Sequence, residues 1–212
     1  MKILPFEVGP FAARCLVLID DGGRDAFIVD PGFDVEVVVE AVQRGGLRPS
    51  AIVLTHAHLD HAYGVAEAKA AFPAARVLLH PADLPLYDNL PAQATAFGFP
   101  PPPVLPPDGF LADGEELLLG GERLLVRHAP GHSPGHVVLV SHTAPRVAVV
   151  GDVLFAGSVG RTDLWGGCFD TLARSIREVL YALPGDTRVV PGHGPETTIA
   201  TEAAGNPFVP AR

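Results

Sequence analysis

The feature that most constrains this chain is a cluster of three histidines and an aspartate within six residues. The cluster, His56-Ala57-His58-Leu59-Asp60-His61, follows the apolar run Ala51–Leu54, which we predict to be a short buried strand. Imidazole and carboxylate groups suit Zn, Mn or Fe, and the end of a strand is rigid enough to fix them. If the backbone stays extended, side chains 56 and 58 point the same way, whereas 60 and 61 lie past the turn. The cluster therefore predicts a metal site at a strand-to-helix turn.

Four further segments place glycine or proline beside a metal-binding residue type at the end of a predicted strand. They are 30–32 (DPG), 130–136 (PGHSPGH), 151–152 (GD) and 191–194 (PGHG). Glycine lets the backbone approach closely and adopt positive φ. We therefore expect one edge of the fold to gather five histidines and at least two aspartates. For Asp30 two roles stay open: it forms the turn before Pro-Gly, or it supports and orients the loops that carry the candidate metal ligands.

The order of predicted elements indicates an α+β chain built from two similar halves. In the first half, strands are predicted at 2–6, 13–19, 26–29, 51–54 and 76–80, with helices after the N-cap Asp34, at 64–72 and near 82–88. In the second half, β segments fill 115–150 and a strand is predicted at 187–191, with helices at 170–183 and from about 197. Two sheets packed face to face, each with helices on its outer side, predict a four-layer α/β/β/α sandwich.

The segment 91–108 carries seven of the 22 prolines and shows no periodicity, so we predict a long ordered loop there. No domain boundary is evident elsewhere. Residues 1–212 are therefore predicted to form a single domain.

Composition excludes several classes of protein. Fifteen basic residues against 24 acidic residues give a net charge of −9, which argues against a nucleic-acid partner. No apolar run approaches the ~18 residues that a membrane-spanning helix needs. Cys15 and Cys168 are too few for a disulfide scaffold, and the N-terminus lacks the apolar core of a signal peptide. We expect a cytoplasmic protein with neither a nucleic-acid nor a membrane partner; the oligomeric state stays open.

In this order and in these strand contexts, the motifs HAHLDH, PGHSPGH, GD and PGHG resemble those of the metallo-β-lactamase superfamily over nearly the whole chain. The resemblance implies the metallo-β-lactamase fold, with a metal site at one edge of the two sheets. It also implies two divalent ions, most simply Zn with Fe or Mn as alternatives, that share a hydroxide as nucleophile. Asp60 would orient that nucleophile. The implied ligands are His56, His58 and His132 for one ion, Asp60, His61 and His193 for the other, and Asp152 as the bridge.

Within the superfamily, the run 151–161 (GDVLFAGSVGR) resembles glyoxalase II, an enzyme that hydrolyses S-acyl thiol esters such as S-lactoylglutathione. A thiolate leaving group, with a conjugate-acid pKa near ~8.5, departs without a strong general acid. The chain given ends shortly after His193, so we expect it to lack the C-terminal helical domain with which that family grips glutathione. Arg161 is the candidate for a substrate carboxylate, and the alternative is an ion pair with Asp163.

Three other functions stay open at this point. A persulfide dioxygenase would hold one Fe(II) with His56, His132 and Asp152, and that branch has a similar Gly-Arg-Thr-Asp run to residues 160–163. An acyl-lactone lactonase would share the PGHSPGH motif. A non-catalytic metal-binding protein is disfavoured because all seven implied ligands are present.

Overall fold

The computed structural model describes residues 1–211. The chain divides into two compact units, which are described separately. The first contains Met1–Leu111 and Leu118–Glu122, and the second contains Ala112–Leu117 and the residues from Arg123 onward. That the whole chain is one domain stays a prediction.

The first unit is built on a six-stranded mixed sheet whose strands follow one another in chain order. β1 to β3 pair antiparallel, and β3 to β6 pair parallel. The β2 and β3 strands are buried along most of their length, which fits their almost continuous apolar sequences. The five strands predicted in this half are confirmed within a few residues. Their bounds are β1 Lys2–Val8, β2 Ala13–Ile19, β3 Asp25–Val29, β4 Arg48–Val53, β5 Arg76–Leu79 and β6 Gly109–Phe110.

Five helices accompany this sheet: α1 Val35–Arg44, α2 Leu59–Ala62, α3 Val65–Ala71, α4 Leu84–Asp88 and α5 Leu90–Ala96. The buried valines 35, 38 and 42 share one face of α1, as their spacing predicts. Asp34 occupies the predicted N-cap position of this helix, but its side chain makes no capping hydrogen bond. It adopts a left-handed backbone with φ 49°, and its carboxylate accepts the Gly9 N–H at 3.1 Å instead.

The prediction of a loop over 91–108 is wrong for its first part, because α5 occupies Leu90–Ala96. Pro91 stands in the first turn of this helix, where a missing N–H costs nothing. Only Leu90 and Ala94 are buried, so the apolar repeat is a single i,i+4 pair, which is too short to be recognised as a period. Residues 100–108 contain no regular element.

The second sheet is also mixed and has the order β14-β13-β10-β9-β8-β7. Its parallel pair matters most for the site: Gly151 at the end of β10 is the register partner of Pro191 at the end of β13. The Gly192 N–H then donates to the Gly151 carbonyl at 2.8 Å. The strand bounds are β7 Glu116–Leu119, β8 Glu122–His128, β9 Val137–Ser141, β10 Val147–Gly151, β11 Leu154–Phe155, β12 Ser158–Val159, β13 Arg188–Pro191 and β14 Thr197–Thr198.

Two helices complete the second unit, α6 at Phe169–Ser175 and α7 at Ile199–Gly205. A π-helical turn, Ile176–Leu180, continues α6. The helix predicted at 170–183 is therefore present, and its second part is π-helical. Apolar side chains from α6 and this turn pack with those of β9, β10 and β13 in one buried core. Within residues 1–211, no helix has the length and apolar character needed to cross a membrane.

Candidate metal centre

Asp30 organises the histidine-rich loop in the first unit. Because β3 and β4 run parallel, with Val29 opposite Val53, the residues that follow them lie side by side. The Asp30 carboxylate, 3% exposed, accepts the Thr55 N–H at 2.7 Å and the Thr55 hydroxyl at 2.6 Å, and its Oδ2 lies 3.1 Å from His61 Nδ1. Asp30 therefore supports the loop, which was one of its two open roles. Because Asp30 faces Nδ1, Nε2 is the nitrogen of His61 that can coordinate an ion.

The three histidines of this loop lie together and are buried. The centroid of the His56 ring lies 4.9 Å from that of His58 and 4.3 Å from that of His61. Ligand atoms of Asp30, His56 and His61 all lie within 4.8 Å of one another. Asp60 is partly exposed, and its Oδ2 lies 3.6 Å from His61 Nε2. Buried imidazoles that carboxylates orient in this way fit a divalent metal site.

Gly32 allows the Asp30 turn to pack directly on the start of α2. A Cβ added at Gly32 would lie 1.9 Å from the Asp60 carbonyl oxygen, which no side chain could tolerate. The DPG motif is therefore required for its close approach as well as for its turn.

In the second unit, one aspartate lies between two histidines. Asp152 follows β10, and its Oδ2 lies 3.7 Å from His132 Nε2 and 3.6 Å from His193 Nε2. His132 Nδ1 donates to the Arg161 carbonyl at 2.7 Å, which assigns Nε2 to an ion. One carboxylate and two imidazoles are residue types that can hold a divalent ion. The register of β10 and β13 explains the placement, since it brings residues 152 and 193 to the same sheet edge.

His136 is a supporting residue that sequence reasoning left without a role. It is fully buried, and its Nε2 accepts the Asp152 N–H at 3.0 Å. This ring therefore holds the backbone of a predicted ligand. The second histidine of PGHSPGH was the available signal, but its spacing does not distinguish a ligand from a support.

Arg161 shows the alternative that the sequence left open. Its guanidinium makes two 2.7 Å hydrogen bonds to the Asp163 carboxylate. This bidentate contact lowers the pKa of Asp163 to about 2 and raises the pKa of Arg161. The side chain that we predict to bind a substrate carboxylate is thus already paired with a carboxylate of its own chain.

The role of Arg161 in lowering the pKa of Asp163 can be tested by substitution. In an Arg161→Gln variant we expect the pKa of Asp163 to rise from about 2 towards the ordinary aspartate value of ~3.9, because the bidentate donor is lost. Carboxyl-carbon NMR during a pH titration measures the change. A pKa that stays near its original value in the variant would contradict the assignment of Arg161 as the cause.

The fold and the histidine and aspartate clusters together define a metal-dependent hydrolase class. A family model described as the metallo-beta-lactamase superfamily matches residues 8–193, and the chain belongs to this superfamily. The predicted α+β metallo-β-lactamase fold is thereby confirmed, with its two mixed sheets flanked by helices.

Three similar proteins extend over nearly the whole chain. The hydroxyacylglutathione hydrolase GloC of Haemophilus influenzae is 38% identical over 210 residues, covering 99% of this chain and 98% of that protein. The crystal structure of the BLEG-1 B3 metallo-beta-lactamase shares 37% identity over 98% of this chain and 99% of that one, with a TM-score of 0.91. The structure of TTHA1623 in a di-iron-bound form shares 42% identity over 97% of this chain and 99% of that one, with a TM-score of 0.83.

Proposed function

We propose that this protein hydrolyses S-acyl thiol esters, in the manner of a short glyoxalase II. The observation that carries the proposal is the similarity to a hydroxyacylglutathione hydrolase over 99% of the chain. Two sets of residues give it chemical support. They are the buried histidines of the first unit, His56, His58 and His61, and in the second unit Asp152 with His132 and His193.

The proposed metal site contains two divalent ions, with Zn as the first candidate and Fe or Mn as alternatives. The proposal assigns the ligands as the resemblance implies them. One ion would be held by His56, His58 and His132, the other by Asp60, His61 and His193, and Asp152 would be a ligand of both. Asp30 and the Arg161 carbonyl act on these ligands, because each holds the Nδ1 of a coordinating imidazole.

Such ions, when bound, would lower the pKa of a bound water towards ~7 and would polarise the substrate carbonyl. Asp60 would orient the attacking oxygen, and its partly exposed carboxylate is compatible with that role. A thiolate then leaves without a strong acid from the protein. The proposed partner is thus a small acyl-thiol molecule; neither nucleic acid nor a membrane is proposed. A cytoplasmic location stays a prediction from the sequence.

The proposed function predicts which substrate the protein cleaves and how many metal ions it binds. We expect purified protein to hydrolyse S-lactoylglutathione or a related acyl thiol and to contain two metal ions per chain. Removal of the metal with a chelator should abolish turnover, and Zn, Mn or Fe should restore it. Thiol release and elemental analysis measure the two quantities. Folded, metal-loaded protein that cleaves no acyl thiol would contradict the proposal.

Further substrates and an oxygen-uptake measurement on the same purified protein separate the other candidate functions. Similarity to a B3 metallo-β-lactamase over 98% of the chain favours β-lactams as a second substrate class. Cleavage of nitrocefin without thiol release would replace the thioesterase proposal with that activity. A single iron with thiol-dependent oxygen uptake would identify the persulfide dioxygenase, and cleavage of acyl lactones alone would identify the lactonase.

A further inference from the structure

The backbone of the histidine-rich loop is held by side chains from a different part of the first unit. Between His56 and His58, the Ala57 N–H donates to Asp83 Oδ2 at 3.0 Å, and the Ala57 carbonyl accepts from Gln93 Nε2 at 3.2 Å. The Leu59 N–H donates to Gln93 Oε1 at 3.1 Å. Both peptide groups that flank His58 are therefore fixed from outside the loop.

Only one of the two orientations of the Gln93 amide satisfies its hydrogen-bond partners. Its nitrogen donates to the carbonyls of Ala57 and Leu86, the latter at 2.9 Å, while its oxygen accepts from Leu59. A flipped amide would place the oxygen against two carbonyls and the nitrogen against an N–H. The amide thus contacts the loop at two points, Ala57 and Leu59, and α4 at a third, Leu86. Asp83, which is fully buried, completes the contact at Ala57.

The local geometry explains why an outside side chain is needed. His58 occupies the N-cap position of α2 in an extended conformation (φ −72°, ψ 154°), and its side chain makes no capping hydrogen bond. The first N–H groups of any helix need acceptors, and small polar side chains at the N-cap normally supply one. At this helix Gln93 supplies the acceptor for Leu59, and the N-cap position holds a histidine with a different proposed use.

We infer that Gln93 is a positioning residue for the metal centre: with Asp83 it fixes the backbone at Ala57 and Leu59, and thereby the placement of His58 and Asp60. The inference rests on the proposed metal site but not on the identity of the substrate. Groups that orient a metal ligand typically change metal affinity by ~10–100-fold when they are removed.

The test measures metal binding directly. Gln93→Met keeps a similar volume and removes all three hydrogen bonds. We expect its dissociation constant for Co²⁺, measured by competition with a chromophoric chelator, to rise ~10–100-fold. We also expect the visible absorption spectrum of the Co²⁺-loaded protein to change, because the ligand geometry shifts. The chain offers a matched control in Gln43→Met, at an exposed position in α1, which should leave both quantities unchanged.

A purely structural role would give a different result. The melting temperature of metal-free Gln93→Met would fall, while its Co²⁺ affinity and spectrum would match the wild type; this outcome overturns the inference. Gln93→Glu keeps an acceptor for Leu59 and loses both donors, so it serves as a second variant if Gln93→Met fails to fold, and its Co²⁺ affinity should fall in the same direction. Wild-type protein that binds no Co²⁺ would overturn the inference, whereas one that binds Co²⁺ without cleaving thioesters would overturn only the proposed function.

Discussion

Asp152→Ala is expected to lower kcat/KM for an acyl thiol by ~10³-fold or more. The Asp152 carboxylate lies within 3.7 Å of two histidine nitrogens and is the only proposed ligand that both ions share. Lewis-acid stabilisation by metal ions contributes several kcal/mol to catalysis, and each 1.36 kcal/mol corresponds to a factor of ten in rate. Loss of the bridge should also reduce the metal content below two ions per chain. Steady-state kinetics and elemental analysis measure these effects.

A control separates the loss of the ligand from a general effect of removing a carboxylate. Asp186→Ala removes an exposed aspartate from the same unit and should leave turnover and metal content unchanged. Thermal unfolding of Asp152→Ala should stay cooperative, since its backbone contact with His136 does not depend on the side chain. Wild-type turnover and two bound ions in Asp152→Ala would refute the assignment of Asp152 as the ligand that both ions share.

Gly160→Ala is expected to have the second large effect, on stability and metal binding together. A Cβ at Gly160 would lie 1.9 Å from the Asp152 carbonyl oxygen and 3.1 Å from His132 Nδ1. No rotamer relieves a contact between Cβ and a backbone atom, so the backbone around Gly160 and Asp152 must move. Overpacking of this kind costs about 1–3 kcal/mol of unfolding free energy, and sometimes more. Denaturant unfolding and Co²⁺ titration measure the two consequences.

Gly121→Ala provides the comparison for this variant. Gly121 has no atom within 4 Å of an added Cβ, and its φ lies outside the positive range. Its unfolding free energy should stay within about 0.5 kcal/mol of the wild type, as for most surface substitutions. Equal stability and metal affinity in the Gly160 and Gly121 variants would show that the loop around Asp152 can yield at little cost.

The strands and the metal-binding residue types were predictable because each leaves a local pattern. The apolar runs of β2 and β4 and the glycine-flanked histidines are contiguous in the sequence, so spacing alone indicates their role. The α5 helix was missed because its buried face consists of two residues and its first turn carries a proline. The N-cap position of Asp34 was predictable from its place before the apolar repeat, but its side chain makes a tertiary contact with Gly9 in place of a local capping hydrogen bond.

The supports of the site were beyond prediction because their partners are distant in the sequence. Gln93 contacts Leu59 across 34 residues, and Asp30 contacts His61 across 31. A lone glutamine in a proline-rich segment carries no sign of such a contact. Which peptide groups of a loop need an outside partner becomes visible only when the fold has placed them.

His132 Nδ1 donates its hydrogen bond to the main-chain carbonyl of residue 161 and not to the side chain of that residue. Every amino acid at position 161 would offer the same carbonyl, so the support of the histidine does not depend on the side-chain chemistry at that position. The side chain at position 161 can therefore change in charge and length without a direct loss of the hydrogen bond that orients His132.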